Sequence, residues 1–62
     1  MKIIKLKKDT GCELETIVFD NGITVSCWQT GVPEVAVYQT EALFRSVRTK
    51  ARGYSITEEI VI

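Results

Sequence analysis

The chain has 62 residues, and eight Lys and Arg residues balance eight Asp and Glu residues, which gives a net charge of zero at pH 7. A chain this short makes a single domain, whose core rarely contributes more than about 3–5 kcal/mol of net stability. Zero net charge predicts no general attraction to nucleic acid or to a membrane surface. Any such attraction must come from a local cluster of charge.

The apolar runs of the sequence are short. None approaches the roughly 18 residues of a membrane-spanning helix. The two apolar residues between Lys2 and Lys5 are too few for the apolar core of a signal peptide. We therefore expect a cytoplasmic protein that does not bind membranes.

The two cysteines, Cys12 and Cys27, are expected to be buried free thiols. Two thiols are too few for a disulfide scaffold or a four-ligand zinc site, and the chain has no histidine to complete one. If a hairpin pairs Thr16 with Cys27, then Cys12 lies roughly 13 Å away along the strand, whereas a disulfide needs Cα atoms within about 7 Å.

The first predicted strand covers residues 1–8 and ends at a turn, Asp9-Thr10-Gly11, in which Gly11 supplies the left-handed position. A three-residue loop there pairs Lys8 with Cys12 across two antiparallel strands. This register brings opposite charges together, as expected on a solvated sheet face. The expected pairs are Lys5 with Glu15 and Lys7 with Glu13.

Residues 16–29 predict a second hairpin. Two runs rich in β-branched and aromatic residues flank Asn21-Gly22, a pair that tolerates the positive φ angles of a two-residue type I′ turn. Such a turn pairs Asp20 with Ile23 and Thr16 with Cys27. One face of the resulting three-stranded sheet is then the core. The expected core positions are Ile4, Leu6, Leu14, Thr16, Val18, Val25 and Cys27.

Residues 30–33 form a loop, and residues 35–38 are predicted to form a short strand. A helix starting at Pro33 is the alternative, but Val35, Val37 and Tyr38 would scatter around its circumference.

A helix is predicted over residues 41–52, with Thr40 as its N-cap and Gly53 at its C-terminal end. Its core-facing stripe consists of Leu43, Phe44, Val47 and Ala51.

The last nine residues, 54–62, fit two structures. Apolar residues alternate as in a strand, and the segment is rich in Ile, Val and Thr. Ser55 and Glu58 also match a helix capping box. The strand is favoured, because a helix of seven residues or so is marginal. The predicted fold is therefore α+β, in the order β-β-β-(β)-α-β, with a small antiparallel sheet of three to five strands and one helix on one face.

No motif in the chain predicts catalysis. Asp9-Thr10-Gly11 resembles the aspartic-protease tripeptide, but lysines flank it and the chain is too short for the substrate cleft of such an enzyme. Neither cysteine has a histidine base or a C-x-x-C neighbour. There is no Gly-rich phosphate loop and no metal-ligand spacing. We expect a non-enzyme without cofactor, metal or small-molecule substrate.

The predicted helix carries a basic cluster on the side away from the core, which would suit phosphate contacts. An ordinary solvated helix face explains the same cluster, because Glu41 and Arg45 form a favourable i,i+4 pair and cations suit a helix C-terminus. An acidic protein partner is a third possibility. The residues are Arg45, Arg48, Lys50 and Arg52.

An apolar patch is predicted on the solvated side of the sheet, near Asn21-Gly22. Either residues 35–38 or the C-terminal segment cover this patch, or the patch is an interface with another protein. Its residues are Ile3, Ile17, Phe19 and Trp28.

These two surfaces lead to two functional hypotheses. The leading one is a small regulatory protein that binds a protein partner, as a homodimer or as an adaptor or inhibitor of a larger protein. The alternative is a nucleic-acid-binding module that uses the basic helix. An exposed edge strand, at residues 35–38 or 54–62, is also expected to be available for pairing with a second chain.

Overall fold

The computed structural model describes all 62 residues and arranges them as a five-stranded antiparallel sheet with one helix on one face. Its element order and α+β class confirm the predicted fold. No helix in it is long and apolar enough to cross a membrane. The strands are β1 (Lys2–Lys7), β2 (Glu13–Val18), β3 (Thr24–Trp28), β4 (Val35–Tyr38) and β5 (Ser55–Val61), and the helix comprises α1 (Glu41–Arg45) and a wider π-helical segment (Ser46–Ala51).

The strands lie in the order β4-β3-β2-β1-β5. Strands β1 to β4 follow one another as a meander, because short loops join antiparallel neighbours. The helix then carries the chain back across the sheet, and β5 pairs with β1 at the opposite edge. The C-terminal segment is thus a strand, which confirms the favoured prediction.

The first turn is the predicted three-residue loop. Gly11, at φ +92°, donates its backbone N–H to the carbonyl oxygen of Lys8 at 2.8 Å, and Lys8 in turn donates to Cys12. The register of β1 with β2 is therefore as predicted, with Lys5 opposite Glu15.

The second turn is not the predicted type I′ turn. It too has three residues in its loop, since Phe19 donates its N–H to Ile23 and accepts from Gly22. Only Gly22 has a positive φ; Asn21 does not, and its side chain instead accepts a hydrogen bond from the backbone N–H of Ile23.

The longer loop shifts the register of β2 with β3 by one residue. Thr16 lies opposite Ser26, and Cys27 lies opposite Glu15. Because neighbouring residues in a strand point to opposite faces, a one-residue shift exchanges the two faces of β3. Val25 and Cys27 therefore leave the predicted core, and Trp28 enters the helix-covered side.

The core lies between the sheet and the helix and has Phe44 at its centre, fully buried. The ring of Tyr38 meets that of Phe44 edge-on, with 5.6 Å between the centroids. Two buried hydroxyls, of Thr16 and Ser26, satisfy each other at 2.7 Å. The buried apolar residues are Ile4, Leu6, Leu14, Val18, Tyr38, Phe44 and Tyr54.

The helix begins as predicted, with the Thr40 hydroxyl accepting from the Leu43 N–H at 3.1 Å. Its predicted core stripe is only half right. Phe44 is buried and Val47 packs on the core, whereas Leu43 and Ala51 are exposed. The π-helical turns after Arg45 account for Ala51, because i→i+5 hydrogen bonds rotate later residues away from the α-helical stripe.

Both cysteines are free, as predicted, but they are half-buried rather than buried. Cys12 packs against the core, on the helix side. Cys27 is on the opposite face, because it pairs with Glu15. The two thiols are therefore separated by the sheet itself.

Replacing Phe44 with Ala should remove most of the stability of the domain. Phe→Ala substitutions in cores cost about 3–5 kcal/mol, which equals the net stability expected for a domain of this size. Far-ultraviolet circular dichroism should show Phe44→Ala largely unfolded without denaturant. The matched control is Leu43→Ala, one residue away and half-exposed, which should change the free energy of unfolding by about 0.5 kcal/mol or less. Equal effects at the two positions would contradict this helix orientation.

Candidate functional site

The helix covers one face of the sheet, and no element covers the other. We call this uncovered side the open face. Its most regular feature is a row of β-branched side chains that crosses the sheet with one residue from each strand, which we call the apolar row. Reading from one edge of the sheet to the other, the apolar row consists of Ile60, Ile3, Ile17, Val25 and Val37.

Further apolar residues extend the row towards the Asn21-Gly22 end of the sheet. Phe19 is 43% exposed and lies opposite Ile23, which is 41% exposed. Met1 and Ile62 are joined by a backbone hydrogen bond of 2.9 Å and are also exposed. The apolar part of the open face is therefore two residues deep along the strands.

On the other side of the apolar row, the open face is charged over β5, β1 and β2, whereas β3 and β4 carry Cys27 and Val35 there. The Lys5 ammonium lies 3.6 Å from a carboxylate oxygen of Glu15 and 3.6 Å from one of Glu58. Lys7 lies opposite Glu13, as predicted. Because these charges compensate one another, the apolar row is bordered by a nearly neutral polar strip.

A further ion pair lies at the opposite rim. The N-terminal amine of Met1 donates to the Asp20 carboxylate at 2.6 Å. This hydrogen bond, reinforced by the positive charge of the amine, lowers the pKa of Asp20. Asp20 therefore stays ionised near neutral pH, but its charge is paired.

Three of the four predicted patch residues lie on the open face: Ile3, Ile17 and Phe19. Trp28 does not, because the shifted register places it opposite Leu14, on the helix side. There the Arg48 guanidinium lies 4.6 Å from the centre of its ring. The prediction that Trp28 belongs to this patch is therefore wrong.

Strands β4 and β5, which the sequence offers as possible covers for the patch, extend it instead. Strand β4 contributes Val37 and β5 contributes Ile60, each at an end of the apolar row. Neither residue was predicted as part of the site. The available signals were the apolar run at residues 35–38 and the alternation of apolar residues in 54–62. They become decisive once both segments are known to be edge strands of one sheet.

In the basic cluster of the helix, two side chains contact other residues of the chain and two make no ion pair. Arg45 donates to Glu41 at 2.8 Å and also pairs with Glu59. Arg48 lies on Trp28 and donates to the Tyr38 hydroxyl. The remaining two, Lys50 and Arg52, have no ion pair. Nucleic-acid binding by this cluster stays a prediction.

An ion-pair network fastens the start of the helix to the sheet. Lys2 of β1 donates to both oxygens of Glu41 at 3.0 Å, and Arg45 binds the same carboxylate. Partial burial alone would raise the pKa of Glu41, but the hydrogen bonds from Lys2 and Arg45 outweigh it and lower that pKa. The hydrogen bond to Glu41 likewise raises the pKa of Arg45.

Other features offer little for chemistry. No three or more His, Cys, Asp or Glu side chains gather as metal ligands would. One depression of about 270 Å³ lies at the charged end of the sheet, and five of its seven lining residues are polar or charged, including Lys5, Glu15 and Thr57. The apolar row of the open face lies outside this depression.

No known protein family, curated protein or solved structure matches this chain.

Replacing Glu41 with Gln should destabilise the fold in a pH-dependent way. Since the pKa of Glu41 is lowered in the folded state, its contribution is present above the unfolded-state pKa of about 4.3 and disappears as pH falls through the folded-state value. We expect Glu41→Gln to cost about 0.5–1 kcal/mol at pH 7 and progressively less below pH 4. Urea unfolding across this pH range measures the difference. Glu13→Gln, at an exposed carboxylate without an ion pair, is the control, and an equal pH dependence there would refute the assignment.

Proposed function

We propose that this chain is a small, non-enzymatic binding protein, and that it acts by packing the apolar row of its open face against an apolar surface of a partner protein. The observation that carries the proposal is the row itself. Five β-branched side chains, one from each strand, adjoin one another across a face that the helix leaves uncovered. Val37 and Ile60 are exposed, and the other three side chains are half-buried. Contiguous apolar surface that stays accessible to solvent marks interaction sites in small proteins.

The size of the open face is compatible with a specific interface. A standard interface buries about 800 Å² on each partner, roughly a fifth of the 4063 Å² that this molecule exposes. One face of a five-stranded sheet can supply an area of this order, because its strands lie about 4.8 Å apart. Apolar burial there contributes about 25 cal/mol for each Å² removed from water.

The charges around the apolar row favour a protein partner over a membrane or a nucleic acid. Glu15 and Glu58 share a single lysine, Lys5. Along this strip three carboxylates outnumber two lysines, so phosphate groups on lipid or nucleic acid would meet a small net negative charge. An uncharged protein surface with an apolar centre and a polar rim fits better, since interfaces commonly have that arrangement.

A one-sided module without catalytic groups acts by occupying its partner's surface, as an adaptor or an inhibitor does. The proposal places this regulatory role in the cytoplasm, where the two free thiols would remain reduced.

A photo-crosslinking amino acid at Ile23 tests the proposal in cells that express the full chain. Ile23 is exposed on the open face beside the apolar row. The proposal predicts a discrete adduct with one partner protein. The same crosslinker at Lys50, on the helix side, should not give that adduct.

The identified partner is then purified and titrated against two variants that differ by one position in β5. Ile60→Lys puts a charge into the apolar row, whereas Val61→Lys puts the same charge on the opposite face. Ile60→Lys should weaken binding at least about 100-fold, because an unpaired charge is expensive to desolvate. Val61→Lys should leave binding unchanged, and circular dichroism should show both variants folded. Equal affinities, or the same adduct from Lys50, would refute the proposal.

A further inference from the structure

The two edges of the sheet differ in how well they are protected against pairing with another strand. The β5 edge carries Glu58 and Glu59, and a bulge interrupts its register opposite Lys5 and Leu6. The β4 edge reads Val-Ala-Val-Tyr and has no charged residue, no proline and no bulge. Charges and bulges are the usual devices that keep edge strands from pairing, so β4 is the edge that remains open to it.

The hydrogen-bond pattern identifies which backbone groups of β4 are free. Trp28 donates its N–H to Glu34 at 3.0 Å, so residue 34 faces β3. Backbone groups in an antiparallel strand alternate between its two sides. Ala36 and Tyr38 therefore also face β3, and the N–H and C=O groups of Val35 and Val37 point outward from the sheet.

We infer that β4 pairs antiparallel with β4 of a second copy of this chain, around a twofold axis beside Ala36. In this register Val35 lies opposite the partner's Val37, and Val37 lies opposite the partner's Val35. Each of these pairs exchanges both backbone hydrogen bonds, so the outward groups of both residues are satisfied. The two sheets join into one continuous sheet.

Charge complementarity supports this register. It places Glu34 opposite the partner's Tyr38, and within each copy the Arg48 Nε donates to the Tyr38 hydroxyl at 2.6 Å. Neither Glu34 nor Arg48 has an ion pair within its own chain. Across the twofold axis, Glu34 of each copy can reach the partner's Arg48, so the pair forms twice.

The neighbouring registers are less favourable. Shifting the pairing by two residues in one direction sets Pro33 opposite the partner's Val37, and proline has no N–H to donate. The opposite shift moves Glu34 beyond the end of the partner's strand, opposite Thr40. Ala36 also suits the axis, because its small side chain meets its own copy there.

Pairing at β4 would join the open faces of the two copies. Val37 ends the apolar row at this edge, and in the dimer it adjoins the partner's Val35. The inference goes beyond the proposed function and does not depend on it, since the hydrogen bonds that form the dimer are made by the backbone of the edge.

Analytical ultracentrifugation of the purified full chain tests the inference between about 5 and 500 µM, a range in which mass action reveals a weak dimer. We expect a monomer–dimer equilibrium. In the same series, amide hydrogen exchange at Val35 and Val37 should slow with concentration, while exchange at Lys50 should not change.

Val37→Pro removes one outward N–H but none that β3 uses. It should weaken dimerisation at least about tenfold, since the lost hydrogen bond occurs twice in the symmetric interface. Val37→Thr keeps the N–H and is the matched control. Glu34→Lys should also weaken the dimer, and adding Arg48→Glu should restore it, because the charges are then exchanged.

Ile60→Lys separates this inference from the proposed function. Residue 60 lies on the far edge of the sheet, so this substitution should leave the β4 dimer intact. It should nevertheless weaken the binding of the partner protein to the open face. A protein that remains monomeric at the highest concentration would refute the inference. So would a dimer that Ile60→Lys disrupts and Val37→Pro does not, since that dimer would be formed by the open face.

Discussion

The hydrogen bond from the Gly22 N–H to the Phe19 carbonyl closes the turn that decides which side chains of β3 face the helix. Gly22 adopts φ +91°, which a glycine adopts without steric cost. The three-residue loop that results brings the hydroxyls of Thr16 and Ser26 together in the core. It also directs Val25 to the opposite side, where it links Ile17 to Val37. The open face therefore exists in its present form because of this turn.

The single helix explains why one face stays open. Its segments, α1 and the π-helical residues that follow, cover one side of the sheet, with Phe44 inserted into the core and Glu41 tied to Lys2. The chain has no second helix or further strand layer. Most domains bury their sheets between layers. Here the side without a covering layer carries its own apolar row.

Much of this fold could be predicted from local patterns. The β1–β2 register followed from the loop ending at Gly11 and from the match of Lys5 with Glu15. The bounds of β4 and the cap at Thr40 were also evident. The β2–β3 register was not, because Asn21-Gly22 suits both a two-residue and a three-residue loop. The contacts that favour the latter, such as that between Thr16 and Ser26, are visible only in three dimensions. Likewise, a helical period of 3.6 residues does not reveal π-helical turns.

The same register error limited what could be predicted of the site. Ile3, Ile17 and Phe19 were assigned to the correct face, because their positions depend on β1 and β2. Trp28 was misplaced, because its position depends on β3. Val37 and Ile60 were missed, because their membership requires the order of all five strands, which depends on how the helix returns the chain to β1.

The pairing of β1 with β5 has a consequence for how the protein is made. Within this sheet β1 is synthesised before the other strands, and it acquires its second neighbour only when β5 has been synthesised. Until then, β1 is itself an edge strand, and its backbone at Ile3 and Ile4 has no neighbouring strand on one side. Contacts between distant parts of a chain form slowly, and unpaired edges of newly made chains are prone to aggregation. The lysines of β1, at positions 2, 5 and 7, are suitably placed to protect the nascent chain during that interval, as charged residues do on the edges of complete sheets.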